Sequence, residues 1–429
     1  MKNDLAERHK DRACGFAGIF WNAAAVGVYA CQSPVILVFV SRCAGLADAG
    51  MVSIAFAAAN IFWSLARYGV RNYQVTDLTG RFSLRTYIWH RMLTCASAGL
   101  ACLAWLAFQA GTGLYTVEKA GILLAVTGFR LMDAMEDVFV GAYQRRGRLD
   151  AGAKRMLVRL VLSALAVCVC ILTGLSVSIS FLAGTAVSVV LLFWMYWGPS
   201  VSMADVSDTQ KQAEGTFYAV RQLFLECLPL CIGTTLTIFI GNAPKYLIDW
   251  YLDDQTQAVY GFLMLPVFVL TMLVQFLYQP MVKNIGELWI QKKKTVIIKQ
   301  AAVQCFLVIG VVILLHLLGS EMGLLALSGI YQVRLQIYQE EFAWLLAGGG
   351  CFALASYVSV LLTAARRQSF LAAGSALSFL VCIGFGKRFL AAGGLAGAGK
   401  LYFMMNLILL LADLTGFYFG IKGMEKSNE

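Results

Sequence analysis

Apolar residues run along this chain in blocks of roughly 18–25, the length that crosses a bilayer core, with short polar breaks between them. Read this way, the sequence predicts spans at 13–40, 49–67, 87–110, 119–142, 155–174, 176–197, 221–242, 257–280, 300–319, 341–363, 369–386 and 395–419. The fifth and sixth meet at a minimal turn near Gly174, and the eleventh is short, ending at Gly384-Phe385-Gly386. The runs are continuous, which excludes a β-barrel, whose strands alternate over about ten residues. The expected fold is an all-α integral membrane protein of about twelve transmembrane helices.

Composition narrows the class further. The chain is 59% hydrophobic and 14% charged, against about 45–50% and about 25% in a soluble domain. A soluble enzyme is excluded, and so is a long soluble domain carried on a few anchors. The 12 cysteines sit almost wholly inside apolar runs, form no C-x-x-C, and the three histidines are scattered. They read as small packing residues, with no zinc or redox framework and no cofactor expected. The polar start from Met1 to Arg12 has no small-x-small cleavage signal before the first span, so a retained cytoplasmic tail is expected.

Basic residues orient the spans. Most of the 34 fall on one side: Lys2 to Arg12, Arg67 to Arg91, Arg145 to Arg159, Lys211 and Arg221, Lys283 to Lys299, Arg366 and Arg367, and Lys422 and Lys426. The opposite side has only Arg42, Lys119, Lys245, Arg334, Lys387, Arg388 and Lys400, and Arg130 lies mid-span. Both termini are therefore expected in the cytoplasm. The net charge of +10 is accounted for by these inner segments and calls for no nucleic-acid partner.

The longest inner link, 198–220, divides the chain near its midpoint into 1–197 and 221–429. Gly50 has a counterpart in Gly261, Val70-Arg71-Asn72 in Val282-Lys283-Asn284, and Arg145-Arg146 in Arg366-Arg367, at nearly constant offset. This predicts two six-helix lobes related by a parallel pseudo-repeat about an axis along the membrane normal.

The fourth span carries the densest chemistry, Phe129-Arg130-Leu131-Met132-Asp133-Ala134-Met135-Glu136-Asp137. At 100° per residue Arg130, Asp133 and Asp137 share one face within about 60°, and Glu136 points about 120° away from Arg130. Each charge costs about 2.5–3.5 kcal/mol at the bilayer centre, so this face must line a wet cavity or an interhelical contact. Two readings stand: a structural Arg130–Asp133 pair, or a contact for an anionic ligand or coupling ion. Asn60, Ser64, Arg67 and Arg71 form a polar stripe on the second span, and Gln275, Gln279 and Lys283 one on the eighth. Both end in a base at the inner surface, consistent with snorkelling to headgroups or with lining a cavity. In Gly241-Asn242-Ala243-Pro244-Lys245, Pro244 is expected to stop the seventh span and leave Lys245 outside. Glu226 and Asp413 are further candidates for a coupling cation, although their places near span ends also suit solvated residues. Gly394-Leu395-Ala396-Gly397-Ala398-Gly399-Lys400 imitates a phosphate-binding loop. Leu401 stands where a magnesium-binding hydroxyl is required and no strand precedes the run, so nucleotide binding is rejected.

Several of these segments resemble a known group. Arg67-Tyr68-Gly69-Val70-Arg71-Asn72-Tyr73-Gln74, the run from Arg130 to Gln144, Asn242-x-Pro244-Lys245-Tyr246, and Leu345 to Arg367 are similar to segments of bacterial polysaccharide exporters. These form the O-antigen flippase-like branch of the multidrug/oligosaccharidyl-lipid/polysaccharide (MOP) exporter superfamily. The outer loop from Tyr331 to Glu341 departs from the pattern. The resemblance implies V-shaped lobes around a central cavity in the bacterial cytoplasmic membrane. It also implies a flippase for a polyprenyl-diphosphate-linked oligosaccharide in polysaccharide or lipopolysaccharide biosynthesis. On that reading Arg130 contacts the diphosphate, assisted by Arg67, Arg71, Lys283 and Lys245. Asp133, Asp137, Glu226 and Asp413 are candidates for coupling to H+ or Na+, and membrane lipids and the polymerase machinery are the implied partners. A drug/cation antiporter of the same superfamily is the alternative. A membrane-embedded glycosyl or acyl transferase is disfavoured, because His90 and His316 have no acidic neighbours in the sequence.

Overall fold

The computed structural model describes residues 2–76, 81–197, 216–278, 285, 288–289, 291–365 and 367–426. These residues are helical almost throughout and contain no strand. The helices are α1 (Lys2–Cys43), α2 (Leu46–Arg67), α3 (Val70–Thr76), α4 (Leu84–Thr112), α5 (Val117–Arg145), α6 (Leu149–Leu172) and α7 (Val177–Trp197). They continue as α8 (Thr216–Tyr251), α9 (Asp254–Tyr278), α10 (Lys294–Leu318), α11 (Leu324–Tyr331), α12 (Gln339–Ala364) and α13 (Gln368–Lys426). A π-turn at Gly319–Gly323 and a 3-10 turn at Gln336–Tyr338 flank α11.

Ten segments among the described residues are long and apolar enough to cross a membrane. Helix α5 is not one of them because its interior carries Arg130, Asp133, Glu136 and Asp137, yet at 29 residues it is as long as α4. Helix α13 counts once but breaks at Gly394, where φ is 51° and ψ −124°. With α5 added and α13 divided, the described residues contain twelve long helices where twelve spans were expected. In a bilayer, continuous apolar runs of this length pair their backbone amides by forming helices.

Local chemistry sets several helix ends. Ser83 Oγ accepts from Thr86 N at 3.2 Å to open α4, and Thr116 Oγ1 accepts from Lys119 N at 3.2 Å to open α5. Helix α2 ends where Tyr68 and Gly69 both take positive φ, 53° and 68°. That double left-handed step is the reason Arg67 and Arg71 do not continue one helical stripe as the sequence suggested: α2 stops at Arg67, and Arg71 belongs to α3.

Two other boundaries also differ from expectation. Pro244 does not stop its helix; α8 continues to Tyr251. A proline removes one amide donor and bends a helix, but membrane helices tolerate the loss where packing holds both sides. The eleventh span does not end at Gly386, since helix persists to the Gly394 break. Glycine there loses helix propensity yet has a full set of backbone hydrogen-bonding groups, so apolar surroundings keep it helical.

The chain forms two compact units, Met1–Ile238 and Phe239–Glu429. In the first, α5 is the hub and packs on α2, α3, α4, α6 and α7. In the second, α12 packs on α9, α10 and α13. Its hub position is written in Gly348-Gly349-Gly350. A Cβ at Gly348 would lie 2.5 Å from Tyr402 of α13, one at Gly349 would strike Val267 of α9, and one at Gly350 would lie 2.7 Å from Val312 of α10. Three successive residues at 100° spacing thus admit three neighbours, the close approach that small residues give in membranes. Helix α8 contributes to both units, up to Ile238 in the first and from Phe239 in the second. Most of the expected link 198–220, through Gly215, lies outside the described residues.

Candidate functional site

Because α5 is surrounded, its charges are buried: Arg130, Asp133, Glu136 and Asp137 are each at most 7% exposed. Every carboxylate among them meets arginine. Arg130 Nη1 donates to Asp133 Oδ2 at 3.1 Å and to Gln32 Oε1 at 3.3 Å. Arg159 of α6 binds the same Asp133 through Nη2 at 2.6 Å and Glu136 Oε2 through Nε at 2.7 Å. Tyr196 donates to Glu136 Oε1 at 3.2 Å, and Arg159 Nη1 donates to Ser188 Oγ at 3.3 Å. Two arginines and two carboxylates balance in this half of the network.

One turn along α5, Asp137 has a different environment. Arg67 reaches it in a fork, Nε to Oδ2 at 3.2 Å and Nη2 to Oδ1 at 3.1 Å. Arg71 Nη1 donates to Oδ1 at 3.0 Å and Arg91 Nη2 to Oδ2 at 3.3 Å. Three guanidiniums therefore share one carboxylate, leaving two positive charges in excess. Arg91 is fully buried and donates through Nη1 to Ala66 O at 2.5 Å, where Thr94 Oγ1 donates at 2.7 Å. Those bonds satisfy a carbonyl in the last turn of α2, whose negative dipole end offsets part of the excess. Arg67 and Arg71 remain 31% and 20% exposed, and Arg71 Nη2 also donates to Gln144 Oε1 at 3.0 Å.

Aromatic rings join the two halves. The Arg67 guanidinium lies 4.6 Å from the centre of the Trp63 ring, Trp63 stacks on Tyr29 at 5.8 Å, and Arg130 lies 4.6 Å from the Tyr29 ring. Phe56 supports Arg130 at 5.0 Å. Ring faces stabilise guanidinium charge where water is scarce.

The expected residues are thus only partly gathered. Arg67, Arg71, Arg130, Asp133 and Asp137 come together in one network. Glu226 lies apart from it, accepting from Tyr73 OH at 2.5 Å and pairing with the half-exposed Arg81 at 3.0 Å. Lys245 and Asp413 belong to the second unit. Lys245 is half-buried with no ion pair among the described residues. Asp413 is 1% exposed and its Oδ1 has no hydrogen-bond partner, so it is not a solvated end residue. Lys283 and the side chains of Gln275 and Gln279 lie outside the described residues.

Two arginines that the sequence groups with the inner segments, Arg91 and Arg159, also belong to the network. Arg91 sits seven residues into α4 and Arg159 ten residues into α6, roughly 10 and 15 Å along their helices at 1.5 Å per residue. Arg130 is therefore not alone at depth. The Ser83 cap was the available signal for Arg91, since it starts α4 earlier than the apolar run does. Glu136 also joins through Arg159, on the face that α5 turns toward α6 and α7. No group of His, Cys, Asp and Glu among the described residues has metal-binding geometry.

No protein-family model matches the chain, and no curated protein matches it in sequence. Solved structures do match. The Vibrio cholerae MATE transporter VcmN in its bent form aligns at TM-score 0.59 and 14% identity, covering 96% of this chain and 98% of its own. An inward-facing multidrug resistance MATE family transporter of the MOP superfamily aligns at TM-score 0.63 and 13% identity, over 93% of this chain and 96% of its own. This chain shares the helical fold of these solved MATE transporters. A further MOP superfamily transporter, from Pyrococcus furiosus, aligns at TM-score 0.56 and 11% identity over 98% of this chain and 97% of its own. Its binding pocket is described as having reverse polarity. At these identities the MOP likeness is one of fold, and it extends over nearly the whole chain.

Proposed function

We propose that this protein is a flippase that carries a polyprenyl-diphosphate-linked oligosaccharide across the bacterial cytoplasmic membrane for polysaccharide assembly. The observation that supports it most is the imbalance at Asp137: three guanidiniums on one carboxylate, two of them partly exposed. A diphosphate is the complementary ligand. Its oxygens accept paired N–H donors from planar arginines, and its charge cannot enter hydrocarbon bare. The reverse polarity described for the Pyrococcus furiosus transporter indicates that this fold accommodates pockets of different sign.

In this reading Arg67 and Arg71 exchange Asp137 for the arriving diphosphate while Arg91 keeps the carboxylate in place. Arg130 follows, because Asp133 retains Arg159 as partner when Arg130 turns away. Lys245 and Lys283 are this reading's further candidates for contact with the diphosphate, and the polymerase machinery receives the product. Alternating access on this reading is a rocking of the two six-helix lobes expected from the pseudo-repeat. Asp133, Asp137, Glu226 and Asp413 are the carboxylates available for coupling to H+ or Na+. The drug/cation antiporter reading fits the fold equally, but a cationic ligand would meet the excess of arginine charge.

The test is reconstitution into liposomes with a fluorescent polyprenyl-diphosphate saccharide and an impermeant quencher, beside a cationic-dye efflux assay. The expected result is saccharide flipping that Arg71→Gln lowers more than tenfold, with no dye efflux. Dye efflux without saccharide flipping overturns the proposal in favour of the antiporter.

A further inference from the structure

We infer that α10 carries a binding site for an anionic glycerophospholipid. An open groove of about 590 Å³ wraps roughly half of this helix, and Lys299, Gln300, Val303, Gln304 and Leu307 are among its lining residues. Two of its polar groups lack partners: Gln304, only 4% exposed, has Nε2 with no hydrogen bond, and Gln300 Oε1 is buried and equally unpaired. A buried polar group without a partner is unfavourable, so a ligand carrying an acceptor for Gln304 gains from binding.

The order of residues selects the ligand. Lys293 and Lys299 are exposed at the basic end where α10 begins, and beyond Gln304 the helix is apolar through Val308, Ile309 and Val312. Gln304 lies five residues past Lys299, roughly 7.5 Å deeper along the helix. A glycerophospholipid has this layout, with a phosphate at the surface, ester carbonyls a short step below and acyl chains beneath them. Lys299 faces the phosphate, Gln304 Nε2 donates to an ester carbonyl, and Val303 and Leu307 line the first acyl methylenes. A polyprenyl phosphate supplies the anion but no acceptor at the depth of Gln304, so it fits less well. The site lies in the second unit and is independent of the arginine network in the first.

Native mass spectrometry of the purified full chain tests the site with phosphatidylglycerol, phosphatidylcholine and a polyprenyl monophosphate in separate titrations. Phosphatidylglycerol should be retained preferentially. Lys299→Gln should weaken its binding about fivefold, the effect of one lysine near an anionic surface. Gln304→Leu should weaken it about fivefold through the lost hydrogen bond. Should either variant fold poorly, the wild-type chain in vesicles with diazirine-tailed phosphatidylglycerol gives a second readout. Crosslinks should fall within the tryptic peptide Gln300–Arg334, nearest Val303 and Leu307. Equal retention of phosphatidylcholine, preference for the polyprenyl phosphate, a dimer mass in place of a lipid adduct, or crosslinks confined to other helices would each overturn the assignment. The readout is binding, so its failure is separable from failure of the transport proposal.

Discussion

Replacing Asp137 by Asn probes the network at its point of greatest charge imbalance. Asp137 is the carboxylate shared by Arg67, Arg71 and Arg91, at 3.0 to 3.3 Å. Arg67 and Arg71 are partly exposed and can turn toward water when it goes. Arg91 cannot, since its side chain is fully buried and retains only the Ala66 carbonyl as a strong partner. The cost therefore concentrates on one interaction. At 3.3 Å and an effective dielectric near 20, the lost attraction is about 5 kcal/mol. Removing one partner of a buried pair costs about 3–5 kcal/mol, which agrees. Asp137→Asn should therefore destabilise the protein by about 3–5 kcal/mol in an equilibrium unfolding titration in mixed micelles. Arg91→Leu removes the stranded charge, so the double variant should be more stable than the sum of the single losses, by at least 2 kcal/mol. Additivity within about 0.5 kcal/mol, or an unchanged midpoint for Asp137→Asn, would refute the view that Asp137 neutralises a buried Arg91.

Three other outcomes follow from the same geometry. Arg130→Ala with Asp133→Ala leaves Arg159 paired with Glu136, so the chain should insert normally while saccharide flipping falls more than tenfold; a wild-type rate would place Arg130 off the substrate path. Gly349→Ala drives a methyl into Val267 and should cost about 1–3 kcal/mol of stability, whereas Gly393→Ala, with no atom within 4 Å, should be neutral or slightly stabilising in the same unfolding assay. A single cysteine placed at Lys293 in a cysteine-free background should react with an impermeant maleimide only from the cytoplasmic side; labelling from outside intact cells would reverse the orientation drawn from the basic segments.

The network also explains the limits of helical-wheel reasoning here. The wheel places Arg130, Asp133 and Asp137 on one face, and all three are indeed paired. It sets Glu136 apart, yet Glu136 joins them because Arg159 spans both faces, binding Asp133 and Glu136 with different nitrogens. A wheel describes one helix, while a guanidinium on a neighbour bridges positions the wheel separates. The polar stripe ending in Arg71 is a complementary case. The predicted continuous helix does not exist, but the Tyr68-Gly69 step still delivers Arg71 to the same carboxylate as Arg67.

Some properties of this protein depend on composition and length alone. Apolar runs long enough to cross a bilayer must become helices there, because hydrocarbon offers backbone amides no other partner, so the all-helical fold and the twelve long helices are legible in the chain. The cost of charge in hydrocarbon likewise requires that Arg130, Asp133 and Asp137 find partners, whatever those partners are. Tertiary structure decided which partners. Arg91 and Arg159 lie 46 and 22 positions from Asp137 in sequence, and nothing local distinguishes them from bases that snorkel to headgroups. Pro244 within α8 and the break postponed to Gly394 were decided in the same way. Local propensity marks where a helix is weak, and the packing around that point determines whether it ends.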